Sequence, residues 1–324
     1  MNEIKIATSD CKIWNLQQKT FELLAAAKSG PVVIDLLHEG PCCDSIGLNQ
    51  LLDQICNFLD VPTSHFVIKT SNQLSSSHYQ EIRTRFVELE TAKKKTYNVN
   101  LRSSLEKKFG IFIGRSNAYR LGLASYLYEN FPNDVEITYH YDNQNEYHRN
   151  NFGLEQFIQD HWDHKQQVFD FLNRLPIVNE QQEYPILWNK SGFDLDASYE
   201  KIFCDIICET YPNGKTFFIT EKTFRCIAMR RPFIVYGSKH FLTNLHKLGF
   251  KTFSQWWDEG YDTDPESSRY QGIVNNINWI SQQNHHTIQQ WWTEMQSILN
   301  HNVAVLQNLT NQQIATTEFV YDQR

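Results

Sequence analysis

The sequence lacks any apolar run long enough to span a bilayer, and its opening residues, Met1-Asn2-Glu3-Ile4-Lys5-Ile6, lack the apolar core of a signal peptide. A soluble, cytoplasmic protein with no membrane insertion is the expectation. Positive charge is not in excess either. The formal net charge of −7 argues against a general polyanion binder, because non-specific nucleic-acid affinity needs many lysines and arginines facing phosphate. The seven cysteines show no Cys-x-x-Cys spacing: Cys42 and Cys43 are adjacent, and Cys204 and Cys208 stand on either side of an apolar run. An odd number without a secretory signal points to reduced thiols, not to a disulfide framework or a zinc site. No short-period repeat is present.

With 324 residues, 41% of them hydrophobic and 14% aromatic, the chain can bury a large core and is not disordered. Its size suggests two domains, or one large one. Pro31 to Leu37 is a short β-branched run of the kind buried on both faces of a sheet, ending in His38-Glu39-Gly40-Pro41. Leu48, Leu51, Leu52, Ile55 and Leu59 then share a helical stripe, and His65 to Thr70 returns as a strand, which gives the unit of a parallel sheet. A further strand is expected over Arg85 to Glu90. The polar, lysine-rich stretch from Ala92 to Asn100 reads as a surface connection, with Lys93, Lys94 and Lys95 on a solvated face.

After it the pattern restarts. Phe109 to Gly114 reads as a strand, Arg115 to Arg120 as its exit loop, and Leu121, Leu123, Ala124, Leu127 and Tyr128 as a helix ending near Asn130. Val135 to Tyr139 is a strand candidate and 142–151 a surface loop. Asp160-His161-Trp162-Asp163-His164 interleaves two histidines with two aspartates but lacks a further anchored ligand, so no metal is expected there, and still less at His285-His286. Lys201 to Cys208 is a buried-strand candidate leading to Glu209. Phe241, Leu242, Leu245 and Leu248 form a helix that Gly249 can close, Phe250 to Phe253 a short strand, and the chain beyond Tyr270 is helical.

The densest chemistry lies in Phe217-Phe218-Ile219-Thr220-Glu221-Lys222-Thr223-Phe224-Arg225 and Arg231-Pro232-Phe233-Ile234-Val235-Tyr236-Gly237. Thr220 can cap a helix, Glu221 is a favourable anion in its first turn, and Phe224, Ile227 and Ala228 give one apolar face. Lys222 gains nothing there from the helix dipole. An anion held jointly by the lysine and the helix N-terminus would explain it; an ordinary capped helix with solvated charges is the plainer alternative.

These segments, with Glu209-Thr210 before them and Phe112-Ile113-Gly114-Arg115-Ser116-Asn117 through Arg120 upstream, resemble the nucleotide-sugar-binding half of the α1,3-fucosyltransferase family. That family has a strand ending in Glu-Asn-Thr, a Tyr-x-Thr-Glu-Lys segment, a helix and a Pro-Val-Tyr-x-Gly strand. The likeness covers roughly Phe109 to Tyr236 with gaps, and His38-Glu39-Gly40-Pro41 looks like the family's Glu-Ser-Pro loop. The chain departs from the pattern in three ways: Glu209-Thr210 has no asparagine, the arginine after Asn117 comes early, and the membrane anchor of Golgi members is missing. Similar segments occur in bacterial and phage proteins.

The resemblance implies a GT-B architecture, two Rossmann-like α/β domains facing a cleft with C-terminal helices. The acceptor-side domain would span 1–105, the nucleotide-sugar domain 106–270, and a helical segment 271–324 could return to the first domain. It implies a glycosyltransferase using a nucleotide sugar, a GDP-sugar by preference, an acceptor glycan or other hydroxyl, and no cofactor beyond the donor. Lys222 with Arg120 or Arg115 would contact the diphosphate and Glu221 the ribose, with Thr220, Asn117 and Glu209 completing the donor site. No Asp-x-Asp pair stands at a strand end in that half, so cationic side chains would replace a metal. For an inverting reaction the expected base is Glu39, at the carboxyl end of its strand with Gly40-Pro41 fixing the loop. Asp35 lies too deep, and His38 points to the other side. A nucleic-acid-modifying glycosyltransferase using the lysines from Lys93 to Lys108, and a non-catalytic nucleotide- or sugar-binding module, are the other two readings.

Overall fold

The computed structural model describes residues 2–6, 13–36, 40–84, 86–94, 105–114, 116–140, 165–178 and 195–321. Glu39, Arg115, His161, His164, Lys95 and the loop 142–151 lie outside them.

The N-terminal strands β1 (Asn2–Lys5), β2 (Val32–Asp35), β3 (Phe66–Thr70) and β4 (Gln80–Arg83) form a parallel sheet in that order. β2 and β3 are buried along most of their length, as their β-branched runs require. Helix α1 (Ile13–Ser29) joins β1 to β2, and α2 (Leu48–Leu59) joins β2 to β3. α2 buries Leu48, Leu52, Ile55 and Cys56, positions i, i+4, i+7 and i+8 of one helical face. These elements enclose a small core of their own.

A second parallel sheet is built from β5 (Lys107–Ile113), β6 (Val135–Tyr139), β7 (Ile202–Cys208) and β8 (Phe233–Tyr236), in the order β6-β5-β7-β8. Helix α3 (Val87–Lys94) precedes it, α4 (Ala118–Asn130) follows β5, and α5 (Lys165–Leu172) and α6 (Asp196–Lys201) come before β7. Helix α7 (Glu221–Ala228) connects β7 to β8. Beyond β8 come α8 (Phe241–Lys247), α9 (Glu266–Ser281), α10 (His285–Asn308) and α11 (Asn311–Thr316). α9 packs on β8, whereas α10 packs on α7 and α3. Phe86, Leu89, Ala92 and Leu105 belong to this second, larger core. The architecture is α/β and Rossmann-like, with two parallel sheets.

Two expected strands are absent. Residues 87–90 are helical: Val-Glu-Leu-Glu alternates like a strand, yet Phe86, Leu89 and Ala92, three apart, are buried. The neighbouring strand is β4, an edge strand with three of its four residues exposed and no apolar signature. Phe250, Thr252 and Phe253 are buried, but 250–253 does not pair in a sheet. The Phe250 amide donates to the Leu245 carbonyl, and those of Lys251 and Phe253 donate to Asn302 Oδ1 (2.8 Å) and Glu259 Oε1 (2.7 Å). Side chains supply here what a neighbouring strand would otherwise provide.

The loops at the carboxyl ends of the two sheets meet. From the 211–219 loop after β7, the Phe217 amide donates to Asn72 Oδ1 (2.9 Å), and Asn72 Nδ2 donates to the Lys215 carbonyl (2.8 Å). The Gln73 amide donates to the Phe217 carbonyl (3.0 Å), and the Thr216 hydroxyl to that of Gly40. Two glycines permit this approach. A Cβ on Gly40 would stand 2.7 Å from Phe218 Cβ and 2.9 Å from the Asn72 nitrogen; one on Gly214, at φ +73°, would stand 2.8 Å from Cys42 Cβ and collide with Ser45 Oγ.

Candidate functional site

The second sheet reverses its strand order between β5 and β7: from β5 the chain moves out to β6, then returns to the other side of β5 with β7 and continues to β8. Open parallel sheets hold ligands at the carboxyl ends of the strands at such a reversal. Two loops open there, 114–117 into α4 and 209–220 into α7. They carry Asn117, Glu209 and Thr220, and the first turns of their helices carry Arg120, Glu221 and Lys222, so six of the eight residues singled out in the sequence sit on these two segments. The other two, Glu39 and Arg115, lie outside the described residues. Gly40, next to Glu39 in the chain, packs on Phe218, two residues before Thr220.

Asn117 caps α4, its Oδ1 accepting from the Arg120 amide at 3.0 Å. The Arg120 guanidinium is buried, donating to the Cys208 and Glu209 carbonyls, both at 3.2 Å. Tyr119 donates to the Thr210 carbonyl at 3.0 Å, and Arg269 of α9 to those of Pro212 (2.9 Å) and Gly237. These side chains hold the ends of β7 and β8 in place. Sequence reading missed Tyr119, Arg269 and Asn72 because a contact to a distant backbone carbonyl or amide leaves no local pattern.

Thr220 caps α7, its hydroxyl accepting from the Lys222 amide at 3.2 Å. Lys222 Nζ pairs with Glu221 Oε1 at 2.8 Å and lies 3.4 Å from Thr220 Oγ1; the lysine side chain is 14% exposed, the glutamate 49%. Burial works against ionisation of Glu221, but the Lys222 charge and hydrogen bond, with Arg225 nearby, hold its carboxyl down at about 2.

Glu209, at the end of β7, is 2% exposed. Its Oε1 accepts from Thr223 Oγ1 at 2.5 Å and from the Thr220 amide at 3.4 Å, while Oε2 has no hydrogen-bond partner among the described residues. Burial raises its pKa, against the opposing pull of the Lys222 charge and of the bonds from Thr220 and Thr223. A buried carboxylate oxygen left without a donor is costly unless something else supplies one. Beside it stand a capped helix N-terminus and a lysine, the chemistry of a site for an anion that also carries hydroxyls.

Two of the lysines considered for nucleic acid, Lys93 and Lys108, are engaged internally. Lys93 donates to the Leu309 carbonyl, and Lys108 to that of Ser281 (2.6 Å) while lying 3.4 Å from Asp134. Among the described residues no three His, Cys, Asp or Glu side chains are grouped to hold a metal ion, the six described cysteines are free, and no helix is long and apolar enough to cross a membrane.

Fold and site together define a Rossmann-like α/β protein with a cluster of polar, largely buried side chains at the strand reversal of its second sheet. Comparisons with protein-family models, with curated proteins and with solved structures find no match to the chain.

Proposed function

We propose that the protein is a GT-B-type glycosyltransferase that moves a sugar from a nucleotide donor to an acceptor hydroxyl. The observation that carries this reading is the buried Glu209 carboxylate, with one unpartnered oxygen, beside the capped N-terminus of α7 and Lys222. In this reading the helix N-terminus and Lys222 take the donor diphosphate, and Glu209 and Glu221 take ribose hydroxyls. Arg120 and Asn117 act at one remove, by fixing the strand end and the α4 turn. The meeting of carboxyl-end loops from the two sheets supports an active site formed between them, and the motifs shared with fucosyltransferases favour a GDP-sugar.

In the reaction, the acceptor hydroxyl gives its proton to Glu39, its oxygen bonds to the anomeric carbon, and the bond from that carbon to the diphosphate breaks. The charge that develops on the departing diphosphate is offset by Lys222 and the α7 dipole, without a metal. The internal bonding of Lys93 and Lys108 weighs against the nucleic-acid reading.

The direct test is release of nucleoside diphosphate from a panel of labelled nucleotide sugars, with and without EDTA. Turnover that persists in EDTA is expected. Absence of turnover with every donor, together with retained nucleotide binding, would leave a binding module in place of an enzyme.

A further inference from the structure

A depression of about 780 Å3 lies between the 254–264 segment and α9, and shares no residue with the polar cluster at α7. Its volume falls within the roughly 300–1,000 Å3 typical of small-molecule sites. On α9 the lining residues Ser268, Gln271, Asn275, Asn276 and Trp279 recur at helical spacing, so they form one stripe. Asn276 is buried and donates to the Asp258 carbonyl, while Ser268, Gln271, Asn275 and Trp279 face solvent; such a helical face ordinarily carries charge, and this one has amides, a hydroxyl and an indole.

Trp279 is 48% exposed, yet its ring is anchored, because Nε1 donates to the Trp256 carbonyl at 2.9 Å. Trp256 is tied in turn to Glu294 Oε2 at 3.1 Å. Trp257, also in the lining, is 4% exposed, and its indole N–H has no partner among the described residues. Asp258 and Asp264 are the charged groups of the lining, and no lysine or arginine joins them.

We propose that this depression binds a neutral saccharide, with one sugar ring stacked on Trp279 and its hydroxyls paired with Gln271, Asn275 and Asp258. A fixed aromatic face beside amides and carboxylates matches a ligand that has an apolar face and many hydroxyls. Two acids with no neighbouring base repel phosphates and nucleotides. The abundance of amides favours hydroxyls over a cationic ligand, which would call for more carboxylate. The inference is independent of the donor site at α7.

Saturation-transfer NMR on the full chain with maltose, cellobiose and lactose, without nucleotide, tests it. At least one of these should bind in the millimolar range. Trp279→Ala should weaken it about tenfold or more, Trp279→Phe should largely preserve it, and Lys222→Ala should leave it unchanged. If the alanine variant folds poorly, Gln271→Ala takes its place and should also weaken binding, and a loss of binding in Lys222→Ala overturns the proposal. The proposal is overturned if none of the three sugars binds, if Trp279→Ala binds as the parent does, or if tetramethylammonium competes for the depression more strongly than the sugars do.

Discussion

Glu209 and Lys222 separate a binding role from a structural one, because the two roles predict opposite changes in stability. Burial raises the Glu209 pKa, so its ionised form costs the fold stability once the pH rises through the folded value. Glu209→Gln removes that cost while its amide oxygen can still accept from Thr223. Melting temperature at pH 7.5 should therefore rise, and nucleoside diphosphate affinity should fall about tenfold, the worth of a hydrogen bond to a charged group. A variant that is less stable and binds as well as the parent would make Glu209 a structural residue. For Lys222→Ala, loss of a charge-assisted contact should weaken nucleotide binding by about 2 kcal/mol. Its pair with the half-exposed Glu221 is screened by water and should contribute about 1 kcal/mol or less to folding, so calorimetry should show a much smaller effect on melting than on binding.

At the scale of elements, the N-terminus of α7 depends on its cap. Thr220→Ala removes the acceptor for the Lys222 amide and should cost about 1 kcal/mol of stability, read from urea unfolding; Thr220→Ser should restore it. This cap is legible in the sequence, as are β2, β3, β5, β7 and β8, whose apolar runs are buried on both faces. Helices α2, α4 and α7 are legible from their spacing and boundaries. β4 is not, because three of its four residues are exposed and Gln-Glu-Ile-Arg has no apolar run. α3 resembles a strand because four alternating residues fit one, while its buried set becomes clear only over seven residues, from Phe86 to Ala92. In the site, Lys222 and Glu209 stand out by residue type and place. The inward duty of Arg120 does not, since its carbonyl partners lie 88 and 89 residues away.

For the whole molecule, two features govern behaviour. The first is the meeting of the two sheets through Asn72, Gly40 and the 211–219 loop, although each sheet has its own hydrophobic core. Gly214→Ala places a side chain at positive φ and against Cys42 and Ser45, so it should loosen this junction. Scanning calorimetry should then resolve two transitions where the parent gives one; a single unchanged transition would show that the junction does not couple the cores. The second feature is buried acid. Burial pushes Asp205 up to about 6 against the Tyr199 hydrogen bond and the Arg225 charge, and pushes Glu259 to about 6 against its bonds from Thr252 and Phe253. Each keeps a proton in the folded state that the unfolded chain releases, so stability falls as pH rises from about 4 to about 6. Asp205→Asn should gain on the parent across that interval, by on the order of 2 kcal/mol, and the gain should level off above it. An advantage that does not vary between pH 4 and 7 would contradict this.

Isothermal titration of GDP into the parent protein, Lys222→Ala and Glu209→Gln measures directly whether the polar cluster at the strand reversal holds a nucleotide. A donor site built on Lys222, Glu209 and the α7 N-terminus predicts binding by the parent and affinities reduced about tenfold or more in both variants, with both still folded. No binding by the parent, or equal binding by all three, would contradict it.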